Sequence, residues 1–550
     1  MGISNIKIYH LEETDEFLKN PSFLAAWDDL FQSCPWATIF QSRDFILTWF
    51  DCFKDYQPTI ITDWDGQTMK GLWVLTEYKG SFTGPGLDLA EYQVWLSKPE
   101  FEMTFVENAL TAFVKVFPNK AIYMKYIPGS TPREVFGSSR FLKERTVWRQ
   151  YQQPLMVVDK EALENELKKK NRKEKINRLN RLGELRFSNI GDPAHFKSLI
   201  DEMALQSDFR KGALYNKTFF SDEPQRKAFL LRLFELGHVH VTTLAVGDIL
   251  IASNAGIMGR DIVHLQGINS HSPFYSKHSP GILHFLMLGI ALSDAHIPIF
   301  DLTPGGADGY KAVLANRQDT AYEWRFGSKP YALRVRILES VKIKIKSYLT
   351  KNSLWGFDWQ EILENTHIWK VKLKTIKNTL TLSKKRFSIN FLASKAAEVR
   401  LPAWDTMKTF SDRYPAAIGD GADLKIQKNR IADLFLWQET ESRISKASLF
   451  LDCLNRIEFG QQMFTMTESS KLIGIAWHIP PEAKKQAKEE RNQTGDRPHV
   501  ILCSCYQLDK GMDILKIFSH MLHLEIGEKD VPNCLLEFAE NQKDLKRLLT

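Results

Sequence analysis

Asp301 closes a short apolar run, Ile297 to Leu302, and the turn Thr303-Pro304-Gly305-Gly306 separates it from Tyr310 and Lys311. In α/β sheets ligands gather at the C-terminal ends of strands, so a carboxylate there can accept a proton or orient a nucleophile. Tyr310 can donate a proton, since a phenol titrates near pH ~10. Lys311 brings a positive charge for a phosphate or an acceptor. His264 and Gln266 alternate on the apolar run Ile262 to Ile268, which sets both on one face of a strand. Between these segments Ser279-Pro280-Gly281 opens a long apolar helix. Proline and glycine at a helix start leave the first N–H groups free, and the positive end of the dipole points there, which makes a phosphate cradle. The candidate anion-binding set is Ile268, Lys277, His278, Ser279, Gly281, Ile282 and Lys311. Asp208 and Arg210 follow a helix in QSDFRKGALY and are candidates, with Gln266, for the acceptor pocket. Each residue also has a plainer reading. Asp301 caps the turn, Tyr310 packs the loop, Lys311 is a solvated lysine and His264 is a sheet-face histidine.

A chain of 550 residues has room for three or four domains of ~150 residues each. Apolar content of 43% fills several cores. The longest apolar run, Ile282 to Leu292, is shorter than the ~20 residues of a membrane span. The N-terminal segment lacks a basic start followed by an apolar core, so no signal peptide is expected, and the natural setting is the cytoplasm. Six scattered cysteines fit neither a zinc site nor a disulfide scaffold, and no metal site is expected. Net charge is only +7, but Lys168 to Arg181 and Arg334 to Arg386 are basic blocks. Each is either a solvated face or a contact for nucleic acid, anionic lipid or polyphosphate.

One pattern recurs three times: strand, tight turn, strand, then loop, helix and strand. The turns fall at Asp65-Gly66, Gly247-Asp248 and Ser469-Ser470, and Asp-Gly and Gly-Asp supply the positive φ that two-residue hairpins need. The expected division is 1–155, 156–330, a basic helical connector at 331–400, and a third domain at 401–550. The charged segment 481–498 reads as a loop. Trp49, Trp73 and Trp324 sit in apolar periodic contexts and read as core.

The second unit, with HSPGILHF, FDLTPGGADGYKA and the basic helix RKEKINRLNRLGELRF, resembles the GNAT acyltransferase fold. It looks like the bacterial cellulose-biosynthesis acetyltransferases (CelD/BcsL-like). PWATIFQSRDFILTWFDCF adds that family's lead-in, and the likeness covers roughly residues 20–330. Tandem halves of this kind are also similar to FemAB-type aminoacyl ligases. The resemblance implies an α+β fold of tandem GNAT-like domains with mixed central sheets and flanking helices. It implies transfer of an acyl group, acetyl first among them, from acyl-CoA to an amine or hydroxyl, in surface polysaccharide or cell-envelope metabolism. Asp301, Tyr310 and His264 become the catalytic candidates, with Tyr310 protonating the leaving thiolate. The typical phosphate loop reads Arg or Gln, two residues, Gly, one residue, then Gly or Ala. Here His278, Gly281 and Leu283 hold those places. The third unit and the loop Asp88 to Lys98 of the first lack a glycine cradle, which makes that loop structural and the third unit degenerate.

The expected partner is a small-molecule or glycan acceptor, with no DNA. If the chain were a tRNA-dependent ligase, the basic helix would contact tRNA, and binding would weaken steeply with salt. A non-catalytic adaptor of the same fold is the reading from another class. The connector reads as an interfacial helix on a membrane or, from the alternation in VKIKIKSYL, as a strand. No GxSxG elbow, Walker loop or HExxH motif supports a hydrolase, kinase or zinc enzyme.

Overall fold

Asp65-Gly66 turns the chain between β2 (Pro58–Trp64) and β3 (Met69–Tyr78), with Gly66 at φ +99° and the Asp65 carboxylate accepting the N–H groups of Gln67 and Thr68. The structure is a computed structural model that describes residues 6–306, 309–351, 397–400, 424–438, 445–479, 499–505 and 534–538. It divides into two compact units. The first comprises residues up to Ala204, Phe219–His271 and His278–Gln360; the second comprises Leu205–Thr218, Ser272–Lys277 and the chain from Glu361.

Among the described residues the first unit is built on one sheet of thirteen strands. Beyond β2 and β3 these are β1 (Ile6–His10), β4 (Ser81–Thr83), β5 (Leu96–Ser97), β6 (Ile122–Pro128), β7 (Thr146–Val157), β8 (Leu185–Ile190), β9 (Val239–Val246), β10 (Ile249–Met258), β11 (Ile262–His271), β12 (Ile299–Asp301) and β13 (Arg317–Phe326). The order is β1-β2-β3-β4-β6-β13-β7-β12-β11-β10-β9-β8, with β5 beside β3. Strand β13 lies between β6 and β7, so residues on both sides of position 155 share one set of ladders. The repeated pattern is visible in the pairings. Antiparallel β2-β3-β4 is followed by the helix Glu102–Val116 and the parallel strand β6; antiparallel β9-β10-β11 is followed by the helix Pro280–Asp294 and the parallel strand β12.

Trp73, Trp95 and Trp324 meet at the centre of the first core, with ring centroids 5.4 to 6.1 Å apart and all three rings buried. Aromatic packing of this kind adds to the burial of large rings. Gly71 of β3 leaves no room for a side chain, because a Cβ there would lie 2.2 Å from the Phe105 ring. Gly71→Ala is therefore expected to destabilise the fold by roughly 1–3 kcal/mol, read as a lower denaturant midpoint. An unchanged midpoint would mean that the Phe105 ring yields freely.

Two buried histidines make stability pH-dependent. Burial pushes His240 down to about 4 and His284, on the helix Pro280–Asp294, down to about 3. The folded state then binds fewer protons than the unfolded chain, where histidine titrates near ~6.5, so stability rises with pH. It should be fully present above pH ~6.5 and fall progressively as pH drops toward 4. A shallower slope over that window in His240→Gln is the check; an identical slope would contradict it.

Among the described residues the second unit carries a six-stranded sheet, β14 (Ala397–Arg400), β15 (Leu424–Lys428), β16 (Gln462–Glu468), β17 (Lys471–Ile479), β18 (His499–Cys505) and β19 (Cys534–Phe538), in the order β14-β19-β18-β17-β16-β15. Ser469 and Ser470 turn its hairpin with φ of 46° and 60°, and β18 runs parallel to β19. The expected helix at 512–524, the loop at 481–498 and residues 352–396 of the connector lie outside the described residues.

The alternation in VKIKIKSYL does not make a strand. The helix Lys329–Lys351 runs through it, anchored at its start by buried Ala332 and Val335 and by Arg336 donating to the carbonyls of Lys143 and Thr146. A docked first turn lets the helix propagate through residues whose local pattern favours a strand. No helix among the described residues is long and apolar enough to cross a membrane.

Candidate active site

Strands β11 and β12 pair only from Ile262 to His264 against Ile299 to Asp301, and β11 then continues to His271 without β12, paired with β10. They part where His264 and Asp301 stand. On the other side of β11, Ile257 opposes His264 while Gly256 opposes Gly267, so Leu265 and Gln266 form a bulge, with Gly267 at φ +134°. Such a bulge frees backbone groups from the ladder beside the opening.

Asp301 is fully buried and accepts from four donors. Its Oδ2 receives Tyr92 Oη at 2.6 Å, His264 Nδ1 at 3.0 Å and Gln153 Nε2 at 3.2 Å, and its Oδ1 receives the Thr303 N–H at 2.9 Å. A carboxylate only accepts, so Nδ1 of His264 carries the proton and Nε2 presents its lone pair. His264 is 2% exposed and Nε2 has no hydrogen-bond partner, with the rings of Phe40 and Tyr92 at 5.0 and 5.6 Å. An imidazole fixed at one nitrogen by a buried carboxylate, with the other nitrogen unpaired, is arranged as a general base. Lys311 Nζ donates to the backbone and side-chain oxygens of Thr303 at 3.0 and 3.1 Å, which ties the turn after Asp301. Tyr310 stacks on Phe285 with centroids 5.7 Å apart.

The loop between β4 and β5, within the segment Asp88 to Lys98 that reads from sequence as structural, reaches this centre from the first half of the unit. Tyr92 bonds Asp301, Glu91 lies beside it, and Gln266 Nε2 donates to the Asp88 carbonyl. Arg226 clamps the Asp88 carboxylate through two bonds of 2.8 and 3.0 Å. Burial pushes Tyr92 well above the ordinary phenol range, and the charge of Asp301 adds to it. Sequence reading missed Glu91, Tyr92 and Gln153, because nothing local ties them to a residue some two hundred positions away.

At the helix Pro280–Asp294, Ser279 takes a left-handed conformation, φ 51° and ψ 52°, just before the first turn. The N–H groups of Ile282 and Leu283 turn back to the Ser279 carbonyl, Pro280 has none, and Gly281 places its N–H at the helix start. Lys175, from the basic helix Lys170–Asn180, donates to Ser279 Oγ at 2.7 Å and pairs with no carboxylate among the described residues. Burial and the neighbouring charge of Arg172 lower its pKa. A lone ammonium at the positive end of a helix is the arrangement a phosphate would relieve. This sets the charge that position 278 lacks on a different element.

The other sequence candidates scatter. His278 is buried, Lys277 is exposed on the short turn Pro273–His278, and Ile282 is partly buried in the apolar cluster of Phe285 and Phe300. The Ile268 side chain is fully buried in the core, and its carbonyl accepts from Asn254. Asp208 and Arg210 do not follow a helix but lie within the helix Pro193–Tyr215, which also contains Gly212, where a Cβ would meet the Phe450 ring at 2.8 Å. Both belong to the second unit, where Asp208 is buried and Arg210 pairs with Glu458 at 3.0 Å.

Comparison with known proteins follows the same stretch of chain. Residues 168–312 match the model of the acetyltransferase (GNAT) domain. No curated protein matches the sequence. Similar solved structures include FemX, at 8% identity over 60% of this chain and 99% of that one with a TM-score of 0.38. L-PGS from Bacillus licheniformis follows at 10% over 58% and 95%, TM-score 0.37. A GCN5-related N-acetyltransferase from Kribbella flavida aligns at 12% over 47% and 87%, TM-score 0.27. With its mixed sheets and flanking helices, this is an α+β chain carrying an acyltransferase domain of the GNAT type.

Proposed function

We propose that the protein is an acyl-CoA-dependent N- or O-acyltransferase, with acetyl-CoA as the first donor to test. The observation that carries this reading is the buried, unpartnered Nε2 of His264, held by Asp301 where β11 and β12 part. The donor supplies a reactive thioester, so positioning and one well-placed base account for much of the rate. In this reading the start of the helix Pro280–Asp294 and Lys175 hold the pyrophosphate. His264 takes the proton of the attacking group, and Asp301 fixes its tautomer. Residues 1–155 complete the site through the loop that carries Tyr92. A setting in surface polysaccharide or cell-envelope metabolism follows from the sequence resemblance.

Thiol release from acetyl-CoA tests the reading. His264→Gln should slow it by roughly 10²–10⁴-fold while acetyl-CoA still binds. Equal rates in the variant and the native protein would remove His264 from the chemistry.

A further inference from the structure

The helix Lys329–Lys351 has a side that neither the fold nor the candidate active site uses. It docks on the first unit through buried Ala332 and Val335 and through Arg336 on the carbonyls of Lys143 and Thr146. Glu339 belongs to the same side, with its carboxylate 3.7 Å from Arg149 of β7. At roughly 100° per residue the opposite side carries Leu333, Ile337 and Val341, spaced i, i+4 and i+8, with Leu338 next to them. Those three are 57%, 53% and 46% exposed, and Leu338 is 50% exposed. A surface helix docked by one apolar stripe ordinarily turns polar residues outward. Here the outward row is aliphatic.

Charge decides what this row meets. The helix sequence holds Lys329, Arg334, Arg336, Lys342, Lys344, Lys346 and Lys351 against a single acid, Glu339, which already faces Arg149. A second copy of the chain would set the same cations against one another when the row paired with itself. A nucleic acid would answer the charge, but Leu, Ile and Val give its bases no ring to stack on. An anionic bilayer answers both features. Its surface potential attracts the cations, and the boundary between headgroups and acyl chains takes up the aliphatic row.

We propose that this helix lies in the interface of an anionic lipid bilayer, with Leu333, Ile337, Leu338 and Val341 turned into it, and holds the protein at a membrane surface without spanning it. The cations of the helix meet the lipid phosphates, and the contact is independent of what the active site binds.

Co-sedimentation of the native protein with vesicles is the test. It should pellet with vesicles of phosphatidylcholine and phosphatidylserine and stay in solution with phosphatidylcholine alone, and high salt should weaken the binding. Ile337→Asp combined with Val341→Asp should weaken it at least about tenfold. Lys342→Gln, Lys344→Gln and Lys346→Gln together should weaken it by about 100-fold. Ile337 and Val341 are exposed, so the thermal midpoint of the aspartate variant should match that of the native protein. No pelleting of the native protein, equal pelleting with neutral vesicles, or undiminished binding by either folded variant would overturn the proposal. A native dimer on gel filtration that the aspartate variant splits, with no vesicle bound, would assign the row to a second copy and overturn it as well.

Discussion

Asp301→Ala should abolish acyl transfer and destabilise the protein in the same stroke. The change strands four donors, from Tyr92, Gln153, His264 and Thr303, at a site with no access to water. Breaking a buried charged network from one side costs about 3–5 kcal/mol, and unpaired donors add to it. Asp301→Asn separates the two effects. It keeps the shape, so thermal stability should fall far less. Its amide can present an N–H where the carboxylate accepted, which turns the imidazole tautomer so that Nε2 no longer offers a lone pair. The turnover rate should then fall by about 10²–10⁴-fold with little change in acetyl-CoA affinity. Thiol release and thermal unfolding, measured together on both variants, decide this. Native turnover in Asp301→Asn would mean that the carboxylate serves only the fold.

Gly281→Trp should lose acyl-CoA binding, whereas Gly281→Ala should keep it. A Cβ at position 281 meets the His271 ring at 3.4 Å, an ordinary contact, so alanine fits. An indole has to occupy the space at the helix start, over the Gly281 N–H and beside the Lys175 ammonium on Ser279. Helix-terminal anion binding depends on the approach of the ligand to those N–H groups. The expected change is at least ~100-fold in Kd, which is about 2.8 kcal/mol. An equal loss in the alanine variant would point to a damaged helix start instead of a filled site.

Several features of the fold were legible because their causes are local. Asp65-Gly66 and Ser469-Ser470 announce hairpins through the backbone angles they adopt, and Ser279-Pro280-Gly281 marks a helix start that the structure has at Pro280. The alternation around His264 reads as a strand, and the structure has it on β11. What stayed hidden depends on distance along the chain. Strand β13 inserts between β6 and β7, and no local pattern specifies a neighbour that far away. Tyr92 and Glu91 read as loop residues because their partners lie on strands formed much later in the sequence. Lys175 looked like one charge in a solvated basic face, yet its ammonium meets the hydroxyl of Ser279.

The central claim is that the helix start at Ser279 to Ile282 receives the phosphates of an acyl-CoA. Calorimetric titration of acetyl-CoA into the native protein, beside Gly281→Trp, tests it most directly. The account predicts micromolar binding by the native protein that the tryptophan variant loses while remaining folded. No heat of binding from acetyl-CoA, free CoA or longer acyl-CoAs in the native protein, or equal affinity in the variant, would contradict it.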